Sequence, residues 1–191
     1  MTDVYRIDPH VHCRDGKQAY KETIEHTLQI ADEQGVHKIF DMPNTDPPIL
    51  YKQDVLERLG LASRYSGRYF LYIGASSDER QLVEAAGCVV DVPDVIGIKL
   101  FAGKSVGNLA VVSKADQRKV YQVLSDIDYD GLLAVHCEKE CSIKPDIFDP
   151  TNPYTHCTSR PKNAEIESVK DQIELAEEYG FSGGLHICHV S

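Results

Sequence analysis

Val95-Ile96-Gly97-Ile98-Lys99-Leu100-Phe101 decides the fold. The run is apolar on successive positions, whereas a strand with one wet face would alternate. It reads as a strand covered on both faces, which is the mark of a parallel sheet flanked by helices. Similar short runs over 4–12, 38–42, 69–75, 132–137 and 184–190 predict five more strands. Between them the spacing of apolar residues predicts helices over 19–34, 52–65, 78–89, 114–127 and 164–179. Gly35, Gly131 and Gly180 follow three of these helices, where a C-terminal cap is expected. Strict strand–helix alternation leaves an open doubly wound sheet or a (β/α) barrel. No G-x-G-x-x-G follows the first strand, so a dinucleotide-binding sheet loses its main support. Polar residues at several strand ends favour the α/β TIM-barrel, whose site is built at the C-terminal rim.

Those rim residues point to a metal. Asp8-Pro9-His10-Val11-His12-Cys13-Arg14 closes the first run, and residues two apart on a strand share a face. His10 and His12 could therefore meet at one divalent ion. His136 ends the fifth run, and His186 and His189 lie in the sixth. The last two are three apart and face opposite sides, so one of them is the expected ligand. Lys99 interrupts an apolar strand, where an unpaired ammonium is costly to bury. It either reaches past the strand end to water or a carboxylate, or is held neutral, and a neutral amine is a nucleophile.

Composition excludes other classes. The chain has 191 residues, of which 42% are hydrophobic and 26% charged, as in an ordinary globular domain. A formal net charge of −10 argues against nucleic acid, which needs clustered Lys and Arg. No apolar run reaches the roughly 18 residues of a spanning helix, and Met1 opens without a basic-then-apolar leader. No membrane partner is expected, and the cytoplasm is the expected location. In that setting the six cysteines read as thiols rather than disulfides. Cys137, Cys141, His156 and Cys157 form a looser alternative, a structural zinc site. The longest irregular stretch, 139–162, holds four of the nine prolines and is expected to cover a site or to be disordered.

The ordered set Asp-Pro-His-Val-His-Cys-Arg (8–14), Asp-Met-Pro-Asn-Thr (41–45), Gly-Ile-Lys-Leu-Phe (97–101), Val-His-Cys-Glu (135–138) and His-Ile-Cys-His-Val-Ser (186–191) resembles the amidohydrolase superfamily, and within it dihydroorotase. The resemblance runs along essentially the whole chain. It implies two Zn(2+) ions sharing an activated water, with His10 and His12 on one and His136 and His189 on the other. His189 is preferred to His186 because the family's ligand directly precedes a Val-Ser pair. Lys99 matches the family's carboxylated lysine, which bridges both metals. Arg14 and Asn44 match the residues that hold the substrate's carboxylate, and this separates dihydroorotase from hydantoinase, dihydropyrimidinase and allantoinase. The implied reaction interconverts dihydroorotate and N-carbamoyl-L-aspartate in de novo pyrimidine synthesis. No covalent nucleophile is needed, so none is assigned to Ser191 or a cysteine. Asn163 and Glu165, in a stretch like the family's R-P-x-x-A-E, are read as a helix cap and a first-turn acid. Glu138 either orients His136 or faces solvent.

Two departures follow from the same comparison. Residues 1–191 read as one amidohydrolase (β/α)-barrel domain without the small N-terminal β domain of the longer members. Six strands are counted where a barrel needs eight, and the family's general acid/base, an aspartate after the eighth strand, has no match. Asp8 and Asp41 lie at strand ends but outside that motif, and no catalytic residue is assigned. A fragment of a longer enzyme, a homo-oligomer or completing chain, and a homologue that has lost turnover are the three explanations. The last would be a non-catalytic subunit stabilising a partner such as a carbamoyltransferase.

Overall fold

A computed structural model describes residues 4–105 and 109–190. Ser191 lies outside the described residues. Six strands, Ile7–Val11 (β1), Lys38–Asp41 (β2), Tyr69–Gly74 (β3), Val95–Ala102 (β4), Leu132–Cys137 (β5) and Gly184–Ile187 (β6), form one sheet. They lie in the order β1-β2-β3-β4-β5-β6, and every pairing is parallel. Each crossover is helical: Ile24–Glu33 (α1), Lys52–Leu61 (α2), Glu79–Asp91 (α3), Lys114–Asp126 (α4), then Tyr154–Ser159 (α5) with Lys162–Glu178 (α6). The result is a TIM half-barrel, an incomplete (β/α) barrel with β1 and β6 at its edges. Among the described residues no helix is long and apolar enough to cross a membrane.

Two apolar layers follow from strand parity. Ile39, Leu71, Ile73, Ile98, Leu100, Leu133 and Val135 face the helices and meet Leu28, Val55, Leu82, Val120 and Leu175 in the main core. The concave face holds a smaller cluster of Met42, Tyr72, Ala134 and Cys188. A register shift between Leu71 and Tyr72 against Val95 and Gly97 changes the parity of β4 there. Beyond it Ile98 and Leu100 point to the main core, and Lys99 belongs to the concave face beside Gly74 and Ala134.

Several sequence expectations need correction. β1 begins at Ile7 and not at residue 4, and β6 ends at Ile187 and not at residue 190. His189 lies past β6 with φ +37, a left-handed backbone that no continuing strand allows. α1 begins at Ile24, where Thr23 accepts from the His26 amide and Asp15 from the Ile24 amide. Gly35 and Gly180 have the positive φ of helix-terminating residues, but after α4 that role falls to Asp128, φ +53. Gly131 serves packing instead, since a Cβ there would stand 2.5 Å from the Tyr129 ring. The stretch 139–162 is not irregular: it contains 3-10 turns at Glu140–Ser142 and Pro145–Ile147 and the whole of α5. α6 starts at Lys162 after Pro161, so Asn163 lies inside the first turn and is not its cap; Glu165 is in that turn as expected.

Candidate metal and substrate site

The half-barrel brings the sequence-selected histidines together at the C-terminal rim. The His10 ring is 5.1 Å from His12 and 5.1 Å from His189, centroid to centroid. His136 and His189 are 5.0 Å apart, with Nδ1 of the first 3.2 Å from Nε2 of the second. The turn at His189, and not the strand position of His186, places a ring against both His10 and His136. Burial lowers the pKa of all four, first by desolvation: His10 to about 3 and His136 to about 4. At neutral pH they are uncharged imidazoles with lone pairs to offer. His12 also has a fixed tautomer. Its Nδ1 lies 2.8 Å from the Asn44 amide oxygen, which can only accept, so the proton sits there and Nε2 keeps its lone pair.

Lys99 is 0% exposed, and its Nζ is 2.8 Å from the Cys188 thiol and 5.2 Å from the Phe101 ring centre. Burial lowers its pKa, with Cys188 pulling the other way. The alternative of a carboxylate partner is not met among the bonds described. Zinc fits this donor set. Two nitrogens at about 2.0–2.1 Å from one tetrahedral zinc stand roughly 3.3 Å apart, close to the His136–His189 separation. Among the described residues, no three His, Cys, Asp or Glu side chains stand so that they could hold a metal ion by themselves. The same holds for the looser alternative of Cys137, Cys141, His156 and Cys157, in which Cys137 is buried and Cys141 and Cys157 are exposed.

Arg14 and Asn44 meet as well. Arg14 Nη1 donates to the Asn44 carbonyl oxygen at 2.7 Å, and Asn44 Nδ2 donates to Ser105 Oγ at 3.4 Å. The Asn44 amide thus spans the gap between His12 and Ser105. Glu138 does not face solvent: its carboxylate pairs with Arg160 and stands 3.9 Å from His136 Nε2. A cavity of about 620 Å³ opens here, lined by His136, His189, Glu138, Arg160, His156 and Glu165 among others.

One group of neighbours is only partly visible to a reading of motifs, which reaches Asp41 but not its partners Arg58 and Tyr69. Asp41 is fully buried, Oδ1 accepting from the Cys13 amide at 2.8 Å. Its Oδ2 accepts from Arg58 Nη2 at 2.8 Å and from the Tyr69 hydroxyl at 2.6 Å. Burial pushes the Asp41 carboxyl up, and Arg58, Tyr69 and the Cys13 amide pull it back. The signal was available: Val55, Arg58 and Ala62 recur at helical spacing, an arginine on an apolar stripe.

No protein-family model matches the chain. Curated relatives do. It is 30% identical over 188 residues to the dihydroorotase of Thermococcus kodakarensis, covering 97% of this chain and 38% of the relative. It is also 30% identical over 197 residues to the dihydroorotase of Brevibacillus brevis, covering 100% and 43%. The chain thus spans about two fifths of the length of the curated relatives it matches. Among solved structures it superposes on L-hydantoinase (dihydropyrimidinase) from Arthrobacter aurescens with TM-score 0.80 at 24% identity, over 97% of this chain and 41% of that one. Dihydroorotase from Saccharomyces cerevisiae, solved with 5-fluoroorotic acid, gives 0.65 at 21%, over 98% and 47%. Along nearly all its length the chain is similar to dihydroorotases in sequence, and its fold is the barrel half they share with hydantoinase.

Proposed function

We propose, from this kinship, that the chain supplies the metal-binding and carboxylate-binding half of a dihydroorotase site. The reaction is the zinc-dependent interconversion of dihydroorotate and N-carbamoyl-L-aspartate in pyrimidine synthesis, in the cytoplasm. The observation that supports it most is the convergence of four neutral histidines and buried Lys99 on one rim, with Arg14 joined to Asn44 beside His12. His10, His12, His136 and His189 would hold two Zn(2+) ions, and Lys99, carboxylated, would bridge them. When bound, such a pair supplies Lewis-acid polarisation of the ring carbonyl and activation of water.

The chain's own residues do the rest. The planar guanidinium of Arg14, always charged, suits a ring carboxylate, and Asn44 adds an amide donor while fixing the His12 tautomer. Neutral imidazoles accept no proton at pH 7, which keeps them available as ligands. No residue here is assigned as the proton shuttle to the leaving nitrogen. It would come from further polypeptide or a second copy.

Dihydroorotate ring opening by the 191-residue chain, before and after metal stripping, tests the proposal. Turnover lost on stripping and restored by zinc supports it, and equal turnover of hydantoin and dihydrouracil would move it to the hydantoinase branch. A folded, zinc-loaded chain without turnover leaves the non-catalytic subunit reading in place of catalysis by this chain alone.

A further inference from the structure

We propose that Arg58 is a positioning residue, a buried clamp that sets Arg14 for recognition of a ring carboxylate; this rests on the carboxylate role of Arg14 proposed above. The side chain leaves α2 and reaches the loop after β1. Its Nη2 donates to the Cys13 carbonyl oxygen, and its Nη1 donates to the Arg14 carbonyl oxygen at 3.2 Å. Nη1 also lies 3.3 Å from Asp15 Oδ2, the oxygen that accepts from the first amide of α1. Three consecutive residues of the loop are therefore held by one guanidinium.

The clamp is itself fixed from below. Asp41 at the end of β2 accepts from Nη2, and the Tyr69 hydroxyl from β3 accepts from Nε at 3.1 Å while donating to Asp41. Arg58, Asp41 and Tyr69 are all buried. Arg14 is then gripped at both ends, its carbonyl by Arg58 and its guanidinium by the Asn44 carbonyl. An ammonium on a lysine stem has three donors and no planar fork, so it cannot reproduce this set. Loss of the clamp frees the Arg14 backbone, and a charge-assisted contact depends on geometry. His10 and His12 precede the clamped residues, so the metal donors should tolerate its loss.

The test uses zinc-loaded protein and two probes, orotate and uracil, which share a ring and differ in the carboxylate. In Arg58→Lys the preference for orotate over uracil falls about tenfold, with uracil affinity and zinc content within about twofold of the parent. A second readout does not need the probes. In 15N-arginine-labelled protein the Arg14 Nη signals, assigned by their loss in Arg14→Lys, are resolved in the parent and averaged in Arg58→Lys. If Arg58→Lys does not fold, Tyr69→Phe, which removes only the phenol's bonds, shows the same two changes to a smaller degree. Unchanged preference and unchanged Arg14 signals in a folded variant overturn the proposal, as does a parallel loss of zinc, uracil and orotate. A parent chain without any orotate preference rejects the carboxylate reading instead, and the Arg14 signals then decide the clamp alone.

Discussion

At the residue scale the candidate site was legible because its donors belong to short motifs and a strand fixes where they point. His10 and His12 share a face by parity, and His136 is the penultimate residue of a strand read to the residue. His189 was chosen over His186 only through family resemblance; the backbone turn that swings it inward has no mark in composition. The neutrality of these rings has a consequence for stability. In the unfolded chain each histidine takes a proton near pH 6.5. In the folded chain burial, aided by Lys99 at His10 and by His189 at His136, delays this to about 3 and about 4. Between those values the unfolded state binds more protons, so stability rises with pH. Metal-free protein should hold its urea midpoint above neutrality and lose it as pH falls from about 6.5 towards 4. The double variant His10→Gln, His136→Gln should flatten that slope. An equal slope in parent and variant would place the titrating groups elsewhere.

At the element scale the strands and five of the helices were readable from period alone, and the errors sit where side chains bond across the chain. The Asp41–Arg58–Tyr69 network joins residues 17 and 28 apart in sequence, a separation no local periodicity reports. The stretch 139–162 looked structureless because its prolines obscure short elements, yet backbone bonds tie it down at both ends. Lys139 donates to the Ala164 carbonyl oxygen at 2.9 Å and Lys144 to that of Ser159 at 2.8 Å. Arg160 adds the ion pair with Glu138 over the cavity. A partly exposed pair of this kind contributes about 0–1 kcal/mol, so its effect is local. Arg160→Ala should leave the melting temperature within about 4 °C of the parent. It should also speed proteolytic nicking within 145–156 several-fold, because local opening costs less than global unfolding. Unaltered nicking would mean the backbone bonds alone hold the segment closed.

At the scale of the whole molecule, strand order carries the argument. β1 and β6 each lack a neighbour on one side among the described residues, and Ile7 on β1 is 44% exposed. Unpaired strand edges are templates for another chain. Parity and alternation made the barrel class legible from sequence, and the open edges followed from counting six strands against the eight that closure needs. The isolated 191-residue chain should therefore self-associate with rising concentration in sedimentation velocity. Ile7→Lys should shift that association to higher concentration, since a charge on an edge opposes pairing. The substitution falls at the first residue of β1, before the register shift that separates Asp8 from Val11. His10 and His12 lie at the other end of the strand, so zinc uptake should be unaffected. Association that persists undiminished in Ile7→Lys would assign the contact to β6 or to the helical face. A monomer at every concentration would show that these edges resist pairing unaided, against the idea that a second copy closes the site.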